Sequence, residues 1–326
     1  TSSEIISPIY NKGGYLNAFT SKNSTCFIGQ MSSEFTHVIF NILSDMLLNS
    51  VFKEDVFNLE KSVIIEEINQ GLDEPSKYLF NQIYKLMYED HRLENDIGGT
   101  PEDILNITRK DVIKYFKKYY CSSNIIISIV TNLDKEQVLK KIVESDFNNF
   151  KKKQKLPIQI SQVSEQTEPR YSLNYKKLEQ THILIGIKTC NMFSDDRFGL
   201  DVITSILGGN MNSRLFIDLR EKNGLSYQIE VMNNYYEDTG ALFIYTSFDK
   251  DSIIYKNEFS DNSIDNLINN LFGNNTNTNI KNEDNLGVLP IILDNLVKLK
   301  TEFINELDLS NYIGYITGNT DIRAAD

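Results

Sequence analysis

Two glutamates seven residues apart, Glu60 and Glu67, stand in the stretch FNLEKSVIIEEINQ around Val63, Ile64 and Ile65. At about 100° per residue, a spacing of seven returns to nearly the same direction two helical turns further on. In a helix, Glu60, Ile64 and Glu67 therefore share one stripe, and Glu66 points elsewhere. Paired carboxylates on a stripe suit a metal or acid/base site, and they equally suit the charged edge of an amphipathic helix. The spacing permits both. The three histidines, His37, His91 and His182, do not decide it. None has a second His four positions on, so none offers two imidazoles from one helical face. They read as a helical residue, a loop residue and the start of a strand.

The elements that must position these side chains can be followed along the chain. THVIFNILSDMLLN, from Thr36, has the three-and-four apolar spacing of a helix. The Glu60 segment predicts a second helix from about Lys53 to Gln70, closed by Gly71 and by Asp73-Glu74-Pro75. Further helices are expected from Ser76 to Tyr88, from TPED at Thr100, and from Thr108 with Asp111 completing a capping box. LDKEQVLKKIVESDF predicts another. CFIGQM at Cys26 and NIIISIV at Asn124 to Val130 read as strands. These make an α+β domain over residues 1–150, with a polar linker at 151–170. A second α+β domain over 171–326 is expected to hold strand THILIGIKT and a helix from Asp196 to Lys222 broken at Gly208-Gly209. Two strands joined at Glu237 to Gly240 follow, then a helix near 263–271, an Asn-rich disordered insertion at about 273–286, and a last helix in GVLPIILDNLVKLKTEFINEL.

Composition narrows the function. The chain has 326 residues and a net charge of −12, which argues against a nucleic-acid backbone as partner. The three cysteines, Cys26, Cys121 and Cys190, lack Cys-x-x-Cys pairing, so neither a disulfide framework nor a thiolate zinc site is expected, and a reducing compartment is. No apolar run approaches the roughly 18 residues of a membrane span, so the chain reads as soluble.

The halves repeat each other. GGYLNAFTSKNSTCFIGQMSSE resembles GLSYQIEVMNNYYEDTGALFIYTSFD as Gly, strand, polar turn and strand. The second hairpin is preceded by a strand and a long helix, whereas only twelve residues precede the first. A domain on the same plan would lack its first strand and helix, in agreement with Thr rather than Met at position 1.

Four segments together resemble the M16 family of zinc peptidases, the insulinase, pitrilysin and mitochondrial processing peptidase group: GGYLNAFTS, EKSVIIEE, GGTPEDILNIT and SRLFIDLREKNGLSY. The resemblance implies the M16 α+β fold in two similar domains and zinc-dependent hydrolysis of peptide bonds. In that family, zinc is bound by a His-x-x-Glu-His helix, which this chain does not contain; the motif belongs upstream of GGYLNA, on the helix missing from the first repeat. Carried over by the resemblance, Glu67 is the third zinc ligand and Glu60 the acid supporting the site. Asn17, Ala18, Phe19 and Thr20 form the strand edge offered to peptide, and Arg220 and Tyr227 hold substrate and the developing oxyanion. Two imidazoles and one carboxylate would hold Zn²⁺ with an open position for water. The expected cofactor is thus Zn²⁺ in the full-length protein, and the expected partners are a peptide or unfolded protein and a second M16-type chain. The chain alone is expected to be inactive, and a cytoplasmic or mitochondrial-matrix setting fits. Alternatives are a non-catalytic subunit of the processing-peptidase or respiratory-complex core type, and a peptide-binding module.

Overall fold

The computed structural model describes residues 2–154, 163–252, 287–304 and 306–325. The chain forms two compact units, one of Thr1–Gln70 with Asp96–Gln159, the other of Gly71–Asn95 with Ile160–Asp326. Both are α+β. The linker is described only in part, and the helix expected near 263–271 and the Asn-rich insertion lie outside the described residues.

In the first unit, α1 (Ser2–Tyr10) leads into an antiparallel hairpin of β1 (Tyr15–Thr20) and β2 (Thr25–Gln30), in register from Tyr15 opposite Gln30 to Thr20 opposite Thr25. Helix α2 (Thr36–Leu48) lays Ile39 and Phe40 against Ile9, and Leu16, Met31, Ile129, Ile142 and Phe147 complete this small core. Helix α3 (Glu54–Asp73) follows, with no buried residue. It runs three residues beyond the stop expected at Gln70. A glycine inside an exposed helix costs only about 1 kcal/mol, too little to end it at Gly71. Pro75 does not break this helix but begins the next, α4 (Pro75–Met87), at the first turn, where no N–H is needed.

Helices α5 (Pro101–Asn106) and α6 (Arg109–Tyr119) each start with a reciprocal capping box, Thr100 with Asp103 and Thr108 with Asp111. These hydrogen bonds hold both carboxyls below the usual aspartate range. Thr108→Ala removes the hydroxyl that accepts the Asp111 N–H and is expected to cost about 1 kcal/mol by urea denaturation. Helix α7 (Lys135–Glu144) closes the unit. The strand expected at Asn124 to Val130 does not form: these residues join no sheet, and Ile126 and Val130 are 95% and 96% exposed. A run of β-branched residues makes a strand only when a neighbour completes the ladder, and no described strand lies against it.

The second unit is built on a three-stranded antiparallel sheet in the order β3-β5-β4. Its strands are β3 (Gln180–Thr189), β4 (Ser226–Tyr235) and β5 (Gly240–Asp249). Central β5 alternates its side chains between two cores, as the period of two requires. Leu242, Ile244 and Phe248 meet Leu207 of α8 (Asp196–Gly208), Leu219, and Val288 and Ile292 of α9 (Val288–Thr301). Ala241 and Phe243 meet Tyr84, Met87, Phe80 and Ile83 of α4. Gly186 of β3 is what lets α4 come so close, since a Cβ there would collide with Met87 and Ile83. The break expected at Gly208-Gly209 is present, but the helix resumes as a π-helical turn, Phe216–Lys222. Beyond α9 lies a helix the sequence reading did not contain, α10 (Glu306–Ala325). The Tyr315 hydroxyl donates to the Gly209 carbonyl at 2.7 Å, tying α10 to the end of α8.

Candidate active site

The continuous helix α3 puts Glu60 and Glu67 on one stripe, and both side chains are exposed. Neither makes an ion pair or a side-chain hydrogen bond with a described residue. Glu66 is exposed as well. Beside the carboxylates, Val56, Leu59 and Val63 form a second stripe at three-and-four spacing, 54%, 67% and 43% exposed. The helix is held at its N-terminal end and along one side. Arg109 pairs with Glu54 at 3.8 Å, and Lys61 donates to the Leu105 carbonyl at 2.9 Å. Phe52 meets Phe116 edge-on, with centroids 5.2 Å apart.

Strand β1 carries Asn17, Ala18, Phe19 and Thr20, all exposed, and pairs only with β2 among the described residues. Asn17 turns its Oδ1 back to accept the N–H of Ala18 at 2.8 Å, and its amide donates to the Tyr15 hydroxyl. Its amide group is oriented by these two local bonds.

In the second unit, the π-helical turn and β4 bring Arg220 and Tyr227 together. The guanidinium carbon lies 4.3 Å from the centre of the Tyr227 ring, a cation–π contact, and Tyr227 is 77% exposed. Phe216, four residues before Arg220, supplies a second ring at 4.8 Å. The sequence reading passed over Phe216, although an aromatic at i and an arginine at i+4 is a spacing at which side chains face each other. The two glutamates and the β1 residues belong to the first unit, and Arg220 and Tyr227 to the second.

Among the described residues, none of the three histidines hydrogen-bonds to these groups. His37 lies on α2 and is exposed. His91 is buried: its Nδ1 accepts the Leu93 N–H at 3.2 Å, and its Nε2 lies 3.2 Å from Asp238. His182 sits in β3, its Nδ1 2.9 Å from the Tyr245 hydroxyl. Burial lowers the His182 pKa below the ordinary imidazole value. The unfolded chain therefore takes up this proton first as the solution is acidified. Stability is expected to fall as the pH drops through the ordinary imidazole range, and to level off below the folded value. Urea midpoints across that range should flatten in His182→Gln. An unchanged slope would show that another group carries the effect.

A zinc ion in a protein site takes four donors, or three and a water. The α3 stripe offers carboxylates and no imidazole. Among the described residues, no three His, Cys, Asp or Glu side chains are grouped closely enough to share an ion. The described residues do not by themselves make a zinc site. All three cysteines are free thiols. Among the described residues, no helix is long and apolar enough to cross a membrane.

Comparison with known proteins places this architecture. Residues 1–101 match the family described as Insulinase (Peptidase family M16), and residues 106–275 match the Peptidase M16 inactive domain. The chain belongs to the M16 peptidase family. It is 33% identical over 233 residues to a Bacillus subtilis protein named "Uncharacterized zinc protease YmxG", covering 72% of this chain and 56% of that one. It is 29% identical to an "Uncharacterized zinc protease" of Rickettsia felis, covering 78% of this chain and 62% of that one. The chain thus spans little more than half the length of these relatives. In fold it is similar to a protease from Helicobacter pylori, with a TM-score of 0.81 at 20% identity over 99% of this chain and 71% of the other. It is also similar to a chain of complex III2 from Candida albicans, with a TM-score of 0.70 at 14% identity over 99% of this chain and 72% of the other.

Proposed function

We propose that this chain is part of an M16-type zinc endopeptidase, supplying one zinc carboxylate, a supporting acid and groups that hold the peptide. Glu67 is the metal ligand, Glu60 the supporting acid, and the zinc set is completed by imidazoles outside these 326 residues. The observation that carries this reading is the α3 stripe, two carboxylates seven residues apart, exposed and without a side-chain partner among the described residues. A lysine or arginine at three or four spacing would pair a solvated glutamate on its own helix. Neither glutamate has one at that spacing. Asn17 to Thr20 on β1 take an extended peptide, because a strand with a free edge binds main chain without demanding a particular sequence. Arg220 and Tyr227 are donors suited to a substrate carbonyl or the oxyanion that develops from it.

The relatives' names and the share of their length covered here support this reading, as does the shortfall of donors in this chain. That shortfall also favours a second reading, a non-catalytic subunit that lends its fold to an M16-type partner. One assay separates them: cleavage of an unstructured peptide by residues 1–326 and by the longer gene product, with and without a chelator. The enzyme reading expects cleavage only from the longer protein and its loss on chelation. A longer protein that binds no zinc and cleaves nothing, alone or with a second M16 chain, would overturn it.

A further inference from the structure

We infer that Phe216 and the Asp218–Asn295 pair are positioning residues that hold the Arg220 guanidinium ready for a substrate carbonyl or carboxylate. This rests on the substrate-holding role proposed for Arg220 and names what fixes that side chain in place.

An arginine carries five donors on a long stem with about 2 kcal/mol of rotamer entropy, so an unsupported one binds a carbonyl at the cost of being ordered. Arg220 is ordered without spending its donors. Its guanidinium makes no hydrogen bond or ion pair with a described residue and lies over the faces of Phe216 at 4.8 Å and Tyr227 at 4.3 Å. Ring faces attract the cation through the quadrupole and leave the N–H groups in the guanidinium plane free. An acid in the same place would have consumed them.

The backbone builds this slot from both sides. Phe216–Lys222 is a π-helical turn, an uncommon geometry that recurs at functional sites. Leu219 is fully buried in the core and Arg220 beside it is half-buried, so the turn fixes one side chain inward and the next toward the surface. Its end reverses sharply at Asn223-Gly224. Gly224, at φ +60°, donates to the Arg220 carbonyl at 3.0 Å, and Leu225 donates to the Leu219 carbonyl at 2.8 Å. This left-handed cap returns the chain into β4 so that Tyr227 comes back over Arg220.

The turn is also tied to its neighbour. The Asp218 carboxylate accepts the amide of Asn295, on α9, at 3.0 Å and the Lys222 ammonium at 2.8 Å. The Asp218 carbonyl accepts the Asn223 amide at 2.7 Å. Asn295 is 1% exposed and also donates to the Ile291 carbonyl at 3.0 Å, so it is fixed from its own helix. Burial pushes the Asp218 pKa up, but the bonds from Lys222 and Asn295 outweigh it and keep the carboxyl below its usual range. A charged acceptor thus anchors the turn that presents Arg220.

Side-chain NMR of Arg220 in this chain tests the slot directly. Two ring faces should shift its Nε–H and Cδ–H resonances upfield and slow Nε–H exchange. Phe216→Leu is expected to remove the part of that shift that Phe216 contributes and to speed Nε–H exchange, Asn295→Leu to reduce the shift, and Phe216→Tyr to restore it. In the longer protein, the same Phe216→Leu change is expected to raise the peptide KM roughly three- to tenfold with kcat less affected, the cost of ordering one long side chain on binding. Phe216 is half-buried, so the test does not depend on Asn295→Leu folding. Arg220 resonances identical in wild type and Phe216→Leu would overturn the inference. If those resonances move as expected while Arg220→Ala leaves peptide cleavage intact, the slot stands and the substrate role of Arg220 fails.

Discussion

In the longer protein, Glu67→Gln is expected to lower zinc retention and peptide cleavage together, each by more than about a hundredfold. The amide has the size of the carboxylate but carries no charge, and a neutral oxygen is a poor ligand for a divalent ion. Replacing a group that only supports a metal ligand typically costs about 10- to 100-fold in affinity or activity, and a direct ligand costs more. Glu60→Gln is accordingly expected to fall within that 10- to 100-fold range, with zinc largely retained. Glu66→Gln, one residue off the stripe, should behave as wild type. The structure makes the series clean, because all three side chains are exposed and neither Glu60 nor Glu67 has a partner to lose among the described residues. Surface changes of this kind usually alter stability by no more than about 0.5 kcal/mol, so lost activity reports on the site rather than on folding. Zinc per chain and cleavage rate, measured on the same preparations, decide the matter. Wild-type values for Glu67→Gln would remove it as a ligand, whatever the other two do.

What made that stripe legible was a local property. Seven residues close two helical turns, and the position of Glu67 relative to Glu60 needs nothing beyond α3. The capping boxes at Thr100 and Thr108 are equally local, a hydroxyl and a carboxylate three residues apart. Apart from the helix stop expected at Gly71, the misreadings are non-local. Residues 124–130 have the β-branched composition of a strand, yet strand formation depends on a neighbour that composition cannot supply. Helix α10 contains glycines and threonines that argue weakly for helix, and its Tyr315 finds a carbonyl over a hundred residues away. Arg220 and Tyr227 were assigned their role by resemblance. Their contact is made by a turn from π-helix to strand that no simple period describes. Phe216 was missed for the same reason: its meaning lies in the ring on the other side of the guanidinium.

The segment Gly71–Asn95 is the sharpest case of non-local placement, and it carries the largest expected effect on stability. Asp238, in the β4–β5 turn, has a side chain 1% exposed. It faces His91 Nε2 at 3.2 Å and Arg92, whose guanidinium reaches its two oxygens at 3.3 Å. Arg92 also binds Glu237 at 2.8 Å. Because His91 Nδ1 already accepts the Leu93 N–H, the ring proton sits on Nε2 and points at Asp238. Asp238→Ala leaves that N–H buried without its acceptor and strips Arg92 of its most buried counter-charge. Removing one member of a buried pair costs about 3–5 kcal/mol, and the lower end applies here because Arg92 is 30% exposed and can turn toward water. At roughly 2–4 °C per kcal/mol for a unit of this size, melting should fall by on the order of 10 °C. Asp238→Asn keeps an oxygen for His91 and loses only the charge facing Arg92, so it should cost less than the alanine. With no tryptophan in the chain, far-UV circular dichroism during urea and thermal unfolding is the suitable readout. The order alanine, asparagine, wild type is the discriminating result. Two variants within about 0.5 kcal/mol of wild type would mean that the aromatic contacts of Tyr84, Tyr88 and Phe243 hold this segment to the sheet without help from the buried acid.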